Sequence, residues 1–188
     1  MSVEGALKSL HSAHRRRRMH PVLRIVAPAA ALLALFSCSD GGRLPKEPEQ
    51  PSFYRSLAAP GARVDAEAAR DMISLYRGNN GLSALALDES LREAAQAQAD
   101  AMASANSLSH EVRGTLDMRL TARGMRSVSA AENVSAGYHT LAEAFSGWRQ
   151  SPPHNKNLLM KKARRMGLAT AYAPNTKYKV YWALILAD

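Results

Sequence analysis

Residues 166–187, MGLATAYAPNTKYKVYWALILA, decide the fold class. Within them, the side-chain pattern of two runs, MGLATAYA and YKVYWALILA, repeats every two residues, as in a β-strand. The two runs flank PNTK, a connection built from turn-forming residues. This pattern predicts a C-terminal β-hairpin. The periodic segments before it follow the helical repeat, so helices come first and strands last. That order favours an α+β fold over a βαβ sheet.

The helical repeat is clearest in two segments that begin at aspartates. Asp65 is the predicted N-cap of a helix over residues 66–77, and Asp88 is that of a second helix ending near SANSLSH. Apolar side chains recur along one face of each helix. GNNG at residues 78–81 separates the two helices.

Two segments in the middle of the chain give different signals. GTLDMRLTARG, at residues 114–124, predicts a short helix closed by its final glycine. SVSAAENVSAG, at residues 127–137, contains Glu132 and is too rich in small and polar residues to predict a strong helix.

A proline break follows the next predicted helix. Thr140 and Glu143 form a capping-box pattern that begins this helix. SPPH at residues 151–154 then ends it, and a proline suits the first turn of a new helix. We interpret the break as the feature that directs His154 toward a cleft.

The N-terminus has the pattern of an export signal. Four arginines precede an uncharged, largely apolar run at residues 26–37, which suits a signal peptide and is too short to span a membrane. The run ends at Cys38, the single cysteine, in LFSC, which resembles a bacterial lipobox. We therefore predict a signal peptide at residues 1–37 and lipidation of Cys38. An ordinary secretory signal or an inner-membrane anchor is the alternative.

Further expectations concern the start and the destination of the chain. Met19 is an alternative translation start, because a signal beginning there has a short basic region. The basic run lacks the rest of a twin-arginine signal, so we expect the general export route. Ser39 after the cysteine favours the outer membrane. Residues 38–62, rich in Pro, Gly and charge, predict a tether, and residues 63–188 a single domain.

The charge of the chain does not indicate nucleic-acid binding. The formal net charge is +9, but the first 38 residues hold six of the 25 Lys and Arg residues and one of the 16 Asp and Glu residues. The remaining 150 residues therefore carry a formal charge of +4. Much of the excess belongs to the predicted signal, so we expect no nucleic-acid partner. We expect a monomer whose stability comes from packing, since a lipidated Cys38 leaves no disulfide.

Three residues at breaks between helices could carry chemistry. His110 follows the second helix, Glu132 lies in AENVSAG, and His154 follows the prolines. Two imidazoles and a carboxylate could hold a divalent metal ion, Zn²⁺ most readily, or Glu132 could fix the tautomer of one histidine. Alternatively, the histidines cap helix ends and Glu132 binds backbone amides. His139 precedes a predicted N-cap, and we expect it to be exposed and outside the site.

Ordered motifs over residues 66–186 give the chain a family resemblance. LYRGNNGLSALALDESLREAAQAQADAMA, LSH, AENVSAG, a tryptophan and SPPHNKNLL occur in that order. Together they resemble the bacterial branch of the CAP superfamily, also called SCP-like, which includes plant pathogenesis-related proteins of type 1. The resemblance implies a three-layer α-β-α sandwich with a small antiparallel sheet. It also implies a central cleft lined by His110, Glu132 and His154.

The chain departs from the family pattern at three places. Ser74 stands where the first helix usually has asparagine, and Pro153 replaces a usual glycine before the histidine. Some animal members place a second acidic residue in the cleft after a tryptophan. Here Trp148 is followed by Arg, Gln and Ser, so that carboxylate is missing.

The resemblance implies a binding function more than a reaction. We expect a cell-envelope lipoprotein whose CAP domain binds a small or lipidic ligand, or a divalent metal ion, without robust catalysis and without a required cofactor. No serine, threonine or cysteine is visibly paired with a base as nucleophile. The alternative is a metal-dependent hydrolase of envelope substrates, in which His110 and His154 hold Zn²⁺ and Glu132 activates water. A purely structural envelope protein with an empty cleft is the third hypothesis.

Overall fold

The computed structural model describes residues 49–125 and 129–188. The predicted signal peptide, Cys38 and residues 39–48 of the predicted tether lie outside the described residues, so lipidation stays a prediction. In the described part of the chain, no helix combines the length and apolar character that crossing a bilayer requires.

The described residues contain five α-helices, and their capping residues explain where several of them begin. The Asp65 carboxylate accepts a hydrogen bond from the Ala68 backbone N–H, and Asp88 accepts one from that of Leu91. These bonds satisfy backbone donors that a first helical turn leaves unpaired. The predicted helix starts are therefore confirmed. The helices are α1 (Ala66–Gly78), α2 (Glu89–Ala105), α3 (Leu116–Thr121), α4 (Leu141–Gln150) and α5 (Pro152–Leu158).

The predicted C-terminal hairpin is the centre of a four-stranded sheet. The strands are β1 (Ala86–Leu87), β2 (Ala130–Ala136), β3 (Arg165–Tyr172) and β4 (Val180–Ala187), in the order β1-β3-β4-β2. β4 pairs antiparallel with both β3 and β2. The two residues of β1 add a short parallel pair at the edge beside β3.

Strand β2 was not predicted, because its sequence AAENVSA has little β propensity. It forms because all seven of its residues pair with β4, from Ala130 opposite Ala187 to Ala136 opposite Tyr181. Cross-strand pairing and burial here outweigh the weak local preference. The position of Glu132 within this strand follows from that pairing.

Helices cover both faces of the sheet, which confirms the α-β-α sandwich. β4 is buried along its whole length, and its side chains alternate between two cores. One core contains residues of α1, α4 and α5, and the other contains residues of α2 and α3. The β4 residues of the first core are Val180, Trp182, Leu184 and Leu186, and those of the second are Tyr181, Ala183, Ile185 and Ala187.

The contact between α2 and the sheet is unusually close. The buried face of α2 includes Ala94, Ala95 and Ala99, which leave little side-chain volume between helix and sheet. At Gly167 of β3, an added Cβ would overlap the backbone of Leu91 and Arg92. The position therefore requires a residue without a side chain.

Residues 52–62, at the C-terminal end of the predicted tether, pack against the domain. Ser52–Tyr54 forms a 3₁₀ turn, and Leu57 is 5% exposed within the core that contains α1 and α4. The Leu57 backbone N–H also donates a hydrogen bond to the carbonyl of His139, at 2.7 Å. We call residues 52–62 the N-terminal strap. Its apolar side chains, interspersed among Pro, Gly and Ser, supply the burial that composition alone did not indicate.

A buried arginine joins α1 to the chain that follows α5. Arg77 is fully buried, and its guanidinium donates hydrogen bonds only to backbone carbonyls within the described residues. Because three of these carbonyls follow or end α5, one side chain holds the end of that helix in place. The acceptors are Ser83 at 2.9 Å, Leu158 at 2.8 Å, Met160 at 3.0 Å and Ala163 at 3.1 Å.

Candidate functional site

Two of the three predicted site residues are in direct contact. His110 lies in the turn after α2, and its Nδ1 is 2.9 Å from Oε2 of Glu132 in the middle of β2. The Glu132 side chain is 2% exposed, whereas that of His110 is 55% exposed. An Nδ1–H that donates to the carboxylate leaves Nε2 as a hydrogen-bond acceptor. The pair therefore fixes one side of the ring and leaves the rest accessible.

Arg119 of α3 completes this pair, although no pattern in the sequence indicated it. Its Nη2 lies 2.9 Å from Oε1 and 3.0 Å from Oε2 of Glu132, and its side chain is 7% exposed. The same nitrogen is 3.3 Å from the carbonyl of His110. Arg119 therefore holds the carboxylate and the turn that carries the histidine. A buried carboxylate needs such a counter-ion to stay ionised.

His154 lies in the first turn of α5, where the sequence predicts it. Its Nδ1 is 2.9 Å from the hydroxyl of Ser151, which occupies the N-cap position of the helix. That hydroxyl makes no capping bond to the helix backbone. Prolines in the first two positions of α5 reduce the need for one, because they have no N–H to satisfy. The N-cap serine is thereby available to orient the imidazole.

Two asparagines attach α5, which carries His154, to β2, which carries Glu132. Asn133 Nδ2 donates to the carbonyl of His154 at 3.1 Å, and Asn157 Nδ2 donates to the carbonyl of Glu132 at 2.9 Å. The two side chains also bond each other, at 2.9 Å. Neither was singled out from the sequence, although Asn157 lies one helical turn after His154 and so shares its face.

The surroundings of His154 favour its neutral form. Burial lowers the pKa of His154 below its usual value of 6.5, and repulsion from the His110 ring lowers it further. A hydrogen bond to the backbone of Val134 opposes these effects in part. The pKa stays lowered, so at neutral pH the ring is an uncharged imidazole.

The expected three-ligand metal site does not fit this arrangement. Among the residues that the structure describes, no group of three or more His, Cys, Asp or Glu side chains could hold a metal ion. Both oxygens of Glu132 already lie within hydrogen-bond distance of the Arg119 cation, which would repel a second cation. His110 and His154 remain as candidate ligands, and Glu132 acts on the orientation of His110.

Two surface cavities lie away from His110, Glu132 and His154. A cleft of about 800 Å³ separates α2 from the N-terminal strap and is lined among others by Arg63, Gln96 and Tyr172. Another of about 490 Å³ adjoins the start of α4 and includes His139, which is exposed as predicted. The His110–Glu132 pair combines one exposed imidazole with a buried carboxylate.

The fold and these side chains define an α-β-α sandwich domain that carries a histidine–carboxylate–arginine cluster. The family model described as CAP, the cysteine-rich secretory protein family, matches residues 70–186. This match spans more than half of the chain, and the chain belongs to that family. No curated protein matches it.

Solved bacterial structures share the fold. An extracellular protein containing an SCP domain from Bacillus anthracis is 25% identical, with a TM-score of 0.57, over 65% of this chain. An outer surface protein from Borrelia burgdorferi is 19% identical, with a TM-score of 0.58, over 68% of this chain and 98% of its own. A cysteine-rich secretory protein from Staphylococcus aureus is 20% identical, with a TM-score of 0.51, over 65% of this chain. The chain spans only 39% of the Bacillus protein and 37% of the Staphylococcus protein.

Proposed function

We propose that this protein is an exported, lipid-anchored protein of the cell envelope whose CAP domain binds a small or lipidic ligand through His110, Glu132 and His154. The observation that supports the binding role is the set of contacts made by Glu132. Arg119 lies within hydrogen-bond distance of both carboxylate oxygens, and His110 contacts one of them. A carboxylate held in this way orients the exposed ring of His110. It is a poor general base, because Arg119 and His110 already occupy both of its oxygens.

The two histidines contribute differently, because His110 has one ring nitrogen that Glu132 does not bind, whereas the ring of His154 is held by Ser151 and by the backbone of Val134. His110 presents its free nitrogen at the surface, and the lowered pKa of His154 keeps that ring neutral. A neutral imidazole accepts and donates hydrogen bonds without requiring a charged partner. This combination suits the polar end of an uncharged or lipidic molecule.

Ligand retention tests the binding role directly. The full-length chain and its His110→Ala and His154→Ala variants are purified in parallel, and organic extracts and metal content are measured by mass spectrometry. We expect a copurifying compound that both variants lose, while the matched exposed-site variant His139→Ala retains it. Equal retention in all four proteins would contradict the proposal and favour a structural role.

The same proteins, together with a Glu132→Gln variant, test hydrolysis of envelope peptides and glycans. Metal-dependent turnover that disappears in Glu132→Gln would replace the binding proposal by the hydrolase alternative. We expect no turnover, because Glu132 is already bound by Arg119.

The export and anchoring proposal rests on the N-terminal pattern and on the Bacillus neighbour, which is described as extracellular. We expect the protein to incorporate labelled palmitate and to sediment with membranes. Cys38→Ala should abolish both. Ser37→Ala is the matched control, because it keeps a small residue before the cysteine. Labelling that persists in Cys38→Ala would exclude the lipobox assignment.

A further inference from the structure

Three arginines line one small cavity between α2 and α3, and one of them, Arg119, also holds Glu132 of the ligand site proposed above. The cavity has a volume of about 350 Å³. Its lining contains no acidic side chain and consists of Ala97, Arg113, Met118, Arg119, Ala122 and Arg123. Three guanidinium groups lie around one concave surface, and among the described residues only that of Arg119 is paired with a carboxylate, Glu132.

Two of these arginines have no carboxylate partner among residues 49–125 and 129–188. Within the residues that the structure describes, Arg70, Arg92 and Arg165 each pair with a carboxylate, whereas Arg113 and Arg123 form no ion pair. Arg123 donates one hydrogen bond to the carbonyl of Arg119, at 3.1 Å. Its positive charge therefore remains available at the cavity.

Arg119 supplies an independent indication of a missing partner. Its Nη2 and Nε have acceptors, but its Nη1 is buried and has no hydrogen-bond partner among the described residues. The residue as a whole is 6% exposed. A buried donor of a charged group is costly when it lacks an acceptor. The Arg119 guanidinium, which lines the cavity, therefore has a hydrogen-bonding capacity that the described residues leave unused.

We propose that this cavity, which we call the arginine cavity, binds a phosphate group. Planar guanidinium groups bind phosphate oxygens through paired N–H donors, and a phosphate can accept from several of them at once. Exposed Met118 and the two alanines add apolar surface beside the three charges. Inorganic phosphate and a phospholipid headgroup offer the same chemistry to the cavity.

Titration calorimetry of the full-length chain with inorganic phosphate tests the proposal. We expect saturable binding that weakens by at least about tenfold in the Arg113→Gln/Arg123→Gln double variant, because each loses charge-assisted hydrogen bonds. Arg55→Gln removes one exposed arginine outside the cavity and should bind as the wild type does. Absence of phosphate binding by the wild-type chain, or equal weakening in Arg55→Gln, would overturn the proposal.

Two further measurements separate specific binding from charge screening. In the ¹⁵N NMR spectrum of the wild-type chain, the Arg119 side-chain signal should shift with phosphate and not with an equal ionic strength of chloride. This readout does not depend on whether the double variant folds. If chloride produces the same shift, the cavity has no phosphate site.

Vesicles distinguish the source of the phosphate. Phosphatidic acid vesicles that bind the chain in competition with inorganic phosphate would identify a lipid headgroup, and phosphatidylcholine vesicles serve as the control. Phosphate binding without vesicle binding would identify a free phosphate or phosphoester. Vesicle binding that inorganic phosphate does not displace would place lipid recognition elsewhere and contradict the proposal. Failure here leaves the His110 site unaffected, since neither substituted arginine belongs to it.

Discussion

Glu132 is an ionisable residue at the centre of a buried strand, and its environment explains how it is tolerated. Its side chain is 2% exposed, and its oxygens contact Arg119 and His110. Burying a carboxylate costs free energy that a counter-ion must offset, and removing one partner leaves an uncompensated charge. The stability of the domain should therefore depend on Arg119 more than on any exposed arginine.

We expect Arg119→Gln to lower the free energy of unfolding by about 3–5 kcal/mol, since it leaves the Glu132 charge buried without its cation. Urea denaturation followed by circular dichroism measures the change. Arg92→Gln is the matched control, because it breaks a surface ion pair with Glu89 and should leave stability almost unchanged. If Glu132→Gln fails to restore part of the stability lost in Arg119→Gln, the effect does not come from the buried charge.

The lowered pKa of His154 predicts a pH dependence of stability. The unfolded chain takes up a proton at this residue near pH 6.5, whereas the folded chain takes it up only at lower pH. The contribution is therefore present above pH 6.5 and is lost as the pH falls through the lowered folded-state pKa. We expect the free energy of unfolding to decrease between pH 8 and pH 5, and His154→Asn to reduce that decrease.

His139→Asn is the control for this measurement, because His139 is exposed and should leave the wild-type pH profile unchanged. Denaturation midpoints at several pH values compare the slopes of the three proteins, so a general loss of stability in one variant does not affect the result. Parallel profiles for wild type and His154→Asn would show that burial does not perturb His154.

The residues of the site differ in how far the sequence could reveal them. The family resemblance pointed to His110, Glu132 and His154. Arg119 reaches Glu132 across 13 positions from a different element, so no local pattern distinguished it from the other arginines of the chain. Its role depends on the tertiary placement of α3 beside β2.

At the level of elements, consecutive helices use their N-cap residues differently. Thr140 of α4 and Glu143 form a reciprocal capping box, as the sequence predicts. The N-cap of α5, Ser151, bonds the side chain of His154 instead. The same structural position stabilises one helix and orients a site residue in the next.

This difference predicts distinct effects for two similar substitutions. Thr140→Ala should lower the free energy of unfolding by about 1 kcal/mol, as expected for a lost N-cap. Ser151→Ala should change the ring NMR signals of His154, because it removes the hydroxyl that contacts Nδ1. Thr140→Ala should leave those signals in place. A Ser151→Ala variant with unchanged His154 signals would contradict the assigned contact.

Elements with a strong local signal were predicted, and the two strands without one, β1 and β2, were not. The helices at Asp65, Asp88 and Thr140 follow from caps and apolar periodicity that a short window contains. β2 becomes a strand through its pairing with β4, and β1 is only two residues long. Neither has a sequence signal strong enough to distinguish it from a loop.

At the scale of the whole molecule, the position of α2 on the sheet depends on Gly167. Because a Cβ there would overlap the helix backbone, Gly167→Ala should cost about 3 kcal/mol or more, at the upper end of overpacking effects. Thermal or urea unfolding measures the loss. Gly78→Ala is the matched control, since no atom lies within 4 Å of its added Cβ. Equal stability of the two variants would mean that α2 can move away from the sheet at little cost.

The three layers could be predicted, but the start of the folded domain could not. The β-hairpin and the amphipathic helices indicated an α+β fold, and the family resemblance implied the sandwich. The N-terminal strap was missed because only a few apolar residues, Leu57 above all, attach it to the core. Composition averaged over the segment conceals such single anchoring residues.

The arginine that joins α1 to the end of α5 has a consequence for how the site responds to its surroundings. A guanidinium stays charged over the whole pH range in which proteins remain folded, so the bonds from Arg77 do not weaken when histidines titrate. Acidification should therefore protonate His154 without moving α5, the helix that carries it. A ligand bound at this site would then face a positive charge on His154 in a site of unchanged geometry. Its release would need no rearrangement of the fold.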